Sequence, residues 1–173
     1  MITVENSDID VSLRRHRKEL YTTGIGYILF GIWSVLKVIM SLFLGDLTVE
    51  TVFPKEGMDP EDYMIFRIVY TLVVFIFALI VFLVHLRVGL GAIKASRGGK
   101  SWRYLIEAGF LLAMNFYTLK NYFYNSTGEQ IREISDTTIA SLLVDITVTL
   151  LLIGMFWSDY MVRKLSKDKA QAA

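Results

Sequence analysis

The chain contains no cysteine, two prolines and two histidines. The missing thiols exclude a disulfide scaffold, thiol redox chemistry, cysteine-ligated zinc and iron–sulfur clusters. The histidines, His16 and His85, stand in distant segments, so a two-histidine metal site would have to bridge them, and no metal or other cofactor is expected. Both prolines, Pro54 and Pro60, fall in one connection, and the long apolar runs contain none. Charge is scarce too: 20% of the 173 residues are charged against 54% apolar, and the mean hydropathy is +0.47. That balance is too apolar for disorder and for an ordinary soluble domain of this length.

What is present is a set of long apolar runs. Roughly 20 apolar residues at about 1.5 Å rise cross a hydrocarbon core about 30 Å thick. Leu20 to Leu44 is broken only by Lys37, and Ile68 to Leu86 holds no Asp, Glu, Lys or Arg. Tyr104 to Tyr124 is weaker because it carries Glu107, Asn115 and Lys120; Thr137 to Tyr160 carries Asp145 and ends at Asp159. A soluble bundle would show a polar outer face on each helix, and Ile68 to Val84 has none. The expected fold is all-α, a single membrane domain of four transmembrane helices over about 20–44, 64–88, 103–124 and 136–160. The first run is too long for the core of a cleavable signal peptide and reads as a span that stays. Asp59, Pro60, Glu61 and Asp62 form a helix-start signal for the second.

The net charge of +1 conceals a segregation. Arg14, Arg15, Arg17 and Lys18 precede the first span; Arg87, Lys94, Arg97, Lys100 and Arg103 lie between the second and third; Arg163, Lys164, Lys167 and Lys169 follow the fourth. These are 13 of the 18 basic residues, whereas the first connection carries Asp46, Glu50, Glu56, Asp59, Glu61 and Asp62. Positive-inside counting puts both termini in the cytoplasm, with a basic arm 1–19, an acidic external loop 45–63, a basic cytoplasmic loop 87–103 and a polar tail 161–173. Residues 1–13 and the tail from Ser166 to Ala173 are expected to be mobile. The expected location is the cell membrane, multi-pass, in a bacterial inner membrane or its equivalent.

Ionisable groups inside a membrane are costly and are candidates for function. Lys37 and Asp145 fall at nearly equal depth with opposite charges, so two readings stand side by side. In one they pair; in the other Lys37 snorkels outward and Asp145 bonds a neighbouring hydroxyl. Thr138, Ser141, Asp145 and Thr149 form a stripe on the fourth span, Ser34 lies near Lys37 on the first, and Glu107 and Asn115 share a face of the third. The candidate intramembrane polar site is therefore Lys37, Asp145, Asn115, Glu107, Ser34, Ser141 and Thr149. The plainer account of the small and hydroxyl residues is close helix packing. Glu107 is expected to pair with Arg103 one turn earlier, and Asp159 to reach headgroups or water.

Catalytic constellations are missing. Gly99-Lys100-Ser101 resembles the end of a phosphate-binding loop, but Lys94 stands where that loop needs glycine. No His-Glu-x-x-His or Gly-x-Ser-x-Gly occurs. No catalytic, cofactor-binding or metal residues are expected, and the chain does not read as an enzyme. The expected function is that of a small polytopic accessory or interaction subunit; the alternative is a transport component for an ion or small solute working through Lys37, Asn115 and Asp145. The expected partners are the bilayer, anionic lipid at the basic segments, and a membrane protein or second copy of the chain; the short basic arms give no platform for nucleic acid.

Overall fold

A computed structural model describes residues 2–44, 59–99, 102–125 and 136–171. All four elements among these residues are helices: α1 (Ile2–Leu44), α2 (Pro60–Ser96), α3 (Arg103–Asn125) and α4 (Asp136–Gln171). Three of them, α1, α2 and α4, are long and apolar enough to cross a membrane. The acidic connection at 45–58 lies outside the described residues.

The helices begin and stop where local chemistry allows. The Asp59 carbonyl accepts the first intrahelical bond of α2 from the Tyr63 amide at 3.0 Å, Pro60 takes the first helical position, and Glu61 and Asp62 occupy the positive first turn. The other end of α2 closes in a Schellman motif: the Gly98 amide donates to the Ala95 carbonyl at 2.9 Å and the Gly99 amide to the Lys94 carbonyl at 3.0 Å. Gly98 sits at φ 88°, a conformation that a side chain disfavours. The glycines of the failed phosphate-loop pattern are thus a helix stop.

The helices outrun the apolar runs that predict them. The N-terminal segment 1–13, expected to be mobile, is helical from Ile2, and helix continues through the basic residues, which places about 27 Å of helix ahead of Leu20. The basic connection is helical up to Ser96 and again from Arg103, and the polar tail is helical to Gln171. Eleven of the thirteen basic residues that predict orientation are therefore displayed on helices; Arg97 lies in the turn that closes α2, and Lys100 lies outside the described residues.

The chain divides into two compact units, Met1–Ile28 with Arg87–Ala173, and Leu29–Leu86. The first has a core drawn from four helices. Leu13, Leu20 and Tyr27 recur every seven residues on α1, and Val148, Met155 and Val162 do so on α4; all six are buried. Such a repeat forms the seam of left-handed helix packing. Val88, Ala92 and Ala95 of α2 and Tyr104 and Ala108 of α3 complete the core. Within this unit α1 and α2 approach backbone to backbone. A Cβ on Gly89 would stand 2.7 Å from the Gly24 carbonyl oxygen, and one on Gly24 would stand 2.9 Å from that of Gly89. Small residues at a helix crossing permit this.

The second unit holds the C-terminal half of α1 and most of α2. Among the described residues its buried side chains are few: Tyr63, Ala78 and His85. Gly31 faces His85, whose Cβ would lie 2.6 Å from a Cβ at that position. His85 is 8% exposed and its Nδ1–H donates to the Val81 carbonyl at 2.8 Å. Around them α2 exposes Leu72, Val73, Phe75, Ile76, Phe77, Leu79, Ile80 and Leu83.

Candidate functional site

The residues of the predicted polar site do not fall in one compact unit. Ser34 and Lys37 belong to the Leu29–Leu86 unit, whereas Glu107, Asn115, Asp145 and Thr149 belong to the other. Ser141 is helical, but its side chain lies outside the described residues. Several hydroxyls are committed to their own helix. Ser34 donates to the Phe30 carbonyl at 2.9 Å, Thr118 to Met114 at 3.1 Å, and Thr149 to the carbonyl of Asp145 at 2.8 Å. Bonds of this type satisfy a hydroxyl without a partner helix. Lys37 is exposed, and Asp145 and Asn115 are half-buried.

Glu107 departs from expectation. Its Oε1 meets Arg87 Nε of α2 at 3.1 Å, so the pair joins two helices and is not the i,i+4 pair with Arg103. Arg87 stands near the end of α2 and reaches across to the first turns of α3. The close approach of Gly91 to Tyr104 brings those two segments together. Glu107 Oε2 is buried with no hydrogen-bond partner.

The densest polar chemistry lies among residues that sequence reading left out. Asp159, expected to reach water, is 3% exposed. The Tyr104 hydroxyl of α3 donates to its Oδ1 at 2.5 Å, and Arg163 donates through Nε to Oδ2 at 2.5 Å and through Nη2 to Oδ1 at 3.4 Å. A buried carboxylate requires such partners, because desolvation penalises the bare charge. The Asp159 carboxylate in turn pushes the Arg163 guanidinium further up from its ordinary range, chiefly through the hydrogen bond.

A second cluster centres on Glu19. Arg15 Nε donates to Oε1 at 3.0 Å; His16 Nδ1 lies 2.9 Å from Oε2, and the Ser158 hydroxyl of α4 donates to the same oxygen at 3.4 Å. Partial burial pulls the Glu19 carboxyl up, but the hydrogen bonds from Arg15 and His16 outweigh it and leave it below the usual range. Further along, Lys169 Nζ donates to Asp10 Oδ1 at 2.6 Å, and this bond holds Asp10 low. Arg97 stands 5.9 Å from the centre of the Tyr21 ring, within cation–π reach. The one available signal for these contacts was the i,i+4 spacing of Arg15 with Glu19 and of Asp159 with Arg163.

Chemically, this arrangement ties helices together. The oxygens of Asp159 and Glu19 are already engaged by donors, so neither is poised as a general base. Among the described residues no three His, Cys, Asp or Glu side chains gather as a metal site. No protein-family model, no curated protein and no solved structure matches this chain.

Proposed function

We propose that the chain is a four-span membrane protein with both ends in the cytoplasm, acting as a non-enzymatic accessory or interaction subunit. The observation that carries the topology is the bond between Asp10 and Lys169. These residues flank all the apolar runs, so the chain between them crosses the bilayer an even number of times. With α1, α2 and α4 as spans, α3 makes the fourth; its 23 residues are enough, at about 34 Å. The basic residues at the shared end make that side the cytoplasm.

The subunit role rests on how the ionisable groups are used. Tyr104, Asp159 and Arg163, Arg87 and Glu107, and Asp10 and Lys169 are spent on holding helices, which suits a scaffold presenting surfaces to a partner. Three experiments test the reading. Cysteines introduced as Gly57→Cys and Lys164→Cys in this thiol-free chain report sidedness: an impermeant reagent added outside intact cells labels position 57 and not 164. The opposite result overturns the orientation. Cross-linking in native membranes should capture a partner at near-equal stoichiometry. Proteoliposomes of the isolated chain that carry an ion or solute flux, abolished by Asp145→Asn, would replace the subunit role with transport through Lys37, Asn115 and Asp145.

A further inference from the structure

Along α1, Arg15, Lys18, Glu19, Thr22 and Thr23 line an open groove of about 390 Å³ within the first compact unit. Three of its groups have hydrogen-bonding capacity to spare. Arg15 commits Nε to Glu19, its two terminal nitrogens take part in no described bond, and its side chain is 78% exposed. Lys18 is exposed and its ammonium makes no described hydrogen bond or ion pair. Thr22 is the exception among the threonines with described side chains: Thr23, Thr71, Thr118, Thr147 and Thr149 each donate to the carbonyl four residues back, and Thr22 does not. The carboxylate in the groove is neutralised by Arg15, and its other oxygen is held by His16 and Ser158. The groove therefore offers a guanidinium edge, an ammonium and a hydroxyl in one row, with a surplus of positive charge.

Its place along the helix narrows the occupant. The row straddles the start of the apolar run at Leu20, and the exposed Ile25 continues the face of Lys18 and Thr22 into that run. The groove on the outer face of α2 is a useful contrast. There Arg67 is flanked by Met64, Ile68, Leu72 and Phe75, and Thr71 has given its hydroxyl to the Arg67 carbonyl.

We infer that the Arg15–Lys18–Thr22 groove binds the phosphate of an anionic phospholipid headgroup, with an acyl chain lying along α1 past Ile25. The inference rests on the membrane reading above and sharpens a general attraction to anionic lipid into a site. The phosphate oxygens accept from Lys18, Thr22 and the free edge of Arg15, while a zwitterionic headgroup brings its own cation against Lys18.

The full chain, purified in mild detergent with mixed phosphatidylglycerol and phosphatidylcholine, is examined by native mass spectrometry for retained lipid. Phosphatidylglycerol should be retained in preference. Lys18→Gln should lower that retention about fivefold, the equivalent of roughly 1 kcal/mol for one basic residue near the surface. Thr22→Val should lower it by a smaller factor, and Lys164→Gln, removing a charge elsewhere, should leave it unchanged. Equal retention in Lys18→Gln and Lys164→Gln, or no preference in the wild type, overturns the site. Displacement of the lipid by millimolar inorganic phosphate assigns the groove to a soluble phosphate and overturns the lipid. Carbonate washing of cell membranes separates the two levels of failure. A chain that stays in the membrane without lipid preference loses only the site, and a chain that washes off loses the membrane reading with it.

Discussion

The two compact units solve opposite problems with the same element. In the unit formed by Met1–Ile28 and Arg87–Ala173, four helices share a core whose largest members, Tyr27, Leu20, Leu152, Met155 and Val88, are fully buried. Its polar groups are paired across helices, and α1 and α2 meet glycine to glycine. In the Leu29–Leu86 unit, Phe77 is 66% exposed and only a handful of side chains are buried. A contiguous apolar surface of this kind in water would drive association; against hydrocarbon it costs nothing, because lipid tails are as apolar as leucine. One unit is thus held by its own contacts and the other by its solvent.

The sharpest way to break this contrast is Asp159→Ala. It strips the Tyr104 hydroxyl and the Arg163 guanidinium of their shared acceptor, and loss of one partner from a buried pair costs about 3–5 kcal/mol. Thermal unfolding in mild detergent should show a correspondingly large drop. Leu79→Ala, at a side chain 54% exposed in the other unit, should stay within about 0.5 kcal/mol. Comparable losses from both would mean that the second unit also rests on its own contacts.

Next in size is Gly89→Ala. The added methyl would collide with the Gly24 carbonyl and with Ile28, and overpacking of this kind costs about 1–3 kcal/mol. Gly154→Ala is the matched control, because a Cβ there meets nothing within 4 Å. Equal melting temperatures for the two variants would remove the close crossing from the account.

The smallest effect is a pH dependence confined to the first unit. Asp10 and Glu19 are both held below their ordinary values of 3.8 and 4.5. A carboxyl lowered by folding contributes its full stabilisation above the ordinary value and loses it as pH falls through the lowered one. Protection factors of amides in 7–19, taken relative to the intrinsic exchange rate at each pH, should therefore fall below about pH 4, while those of 68–84 stay flat. Lys169→Ala should bring part of the change about at neutral pH. Uniform loss of protection across both segments would assign the acid response to something other than these two carboxyls.

The apolar skeleton was legible because membrane-length runs and segregated charge are signals of composition. Asp59 and Pro60 marked the start of α2 for the same reason that they form it. Most of the polar chemistry was not legible. Glu107 had two arginines within reach in principle, Arg103 by spacing and Arg87 by folding, and spacing alone selected the one the structure does not use. Asp159 looked terminal because its apolar run stops there, yet α4 continues and α3 delivers Tyr104 to it. The helicity of the arm and the tail did leave a trace, since Leu13 sits one heptad before Leu20 and Val162 one heptad after Met155. Hydropathy windows average such single residues away among the charges beside them.

The pairing of the start of α1 with the end of α4 also has a meaning in time. Glu19 and Asp10 leave the ribosome early, and their partners Ser158 and Lys169 follow 139 and 159 residues later. At about 5–20 residues per second, the polar arm waits on the order of ten seconds for the helix that completes it. Any chain stalled or cleaved before α4 displays Glu19 and Asp10 without those partners. The last helix therefore supplies contacts that the first lacks until it arrives.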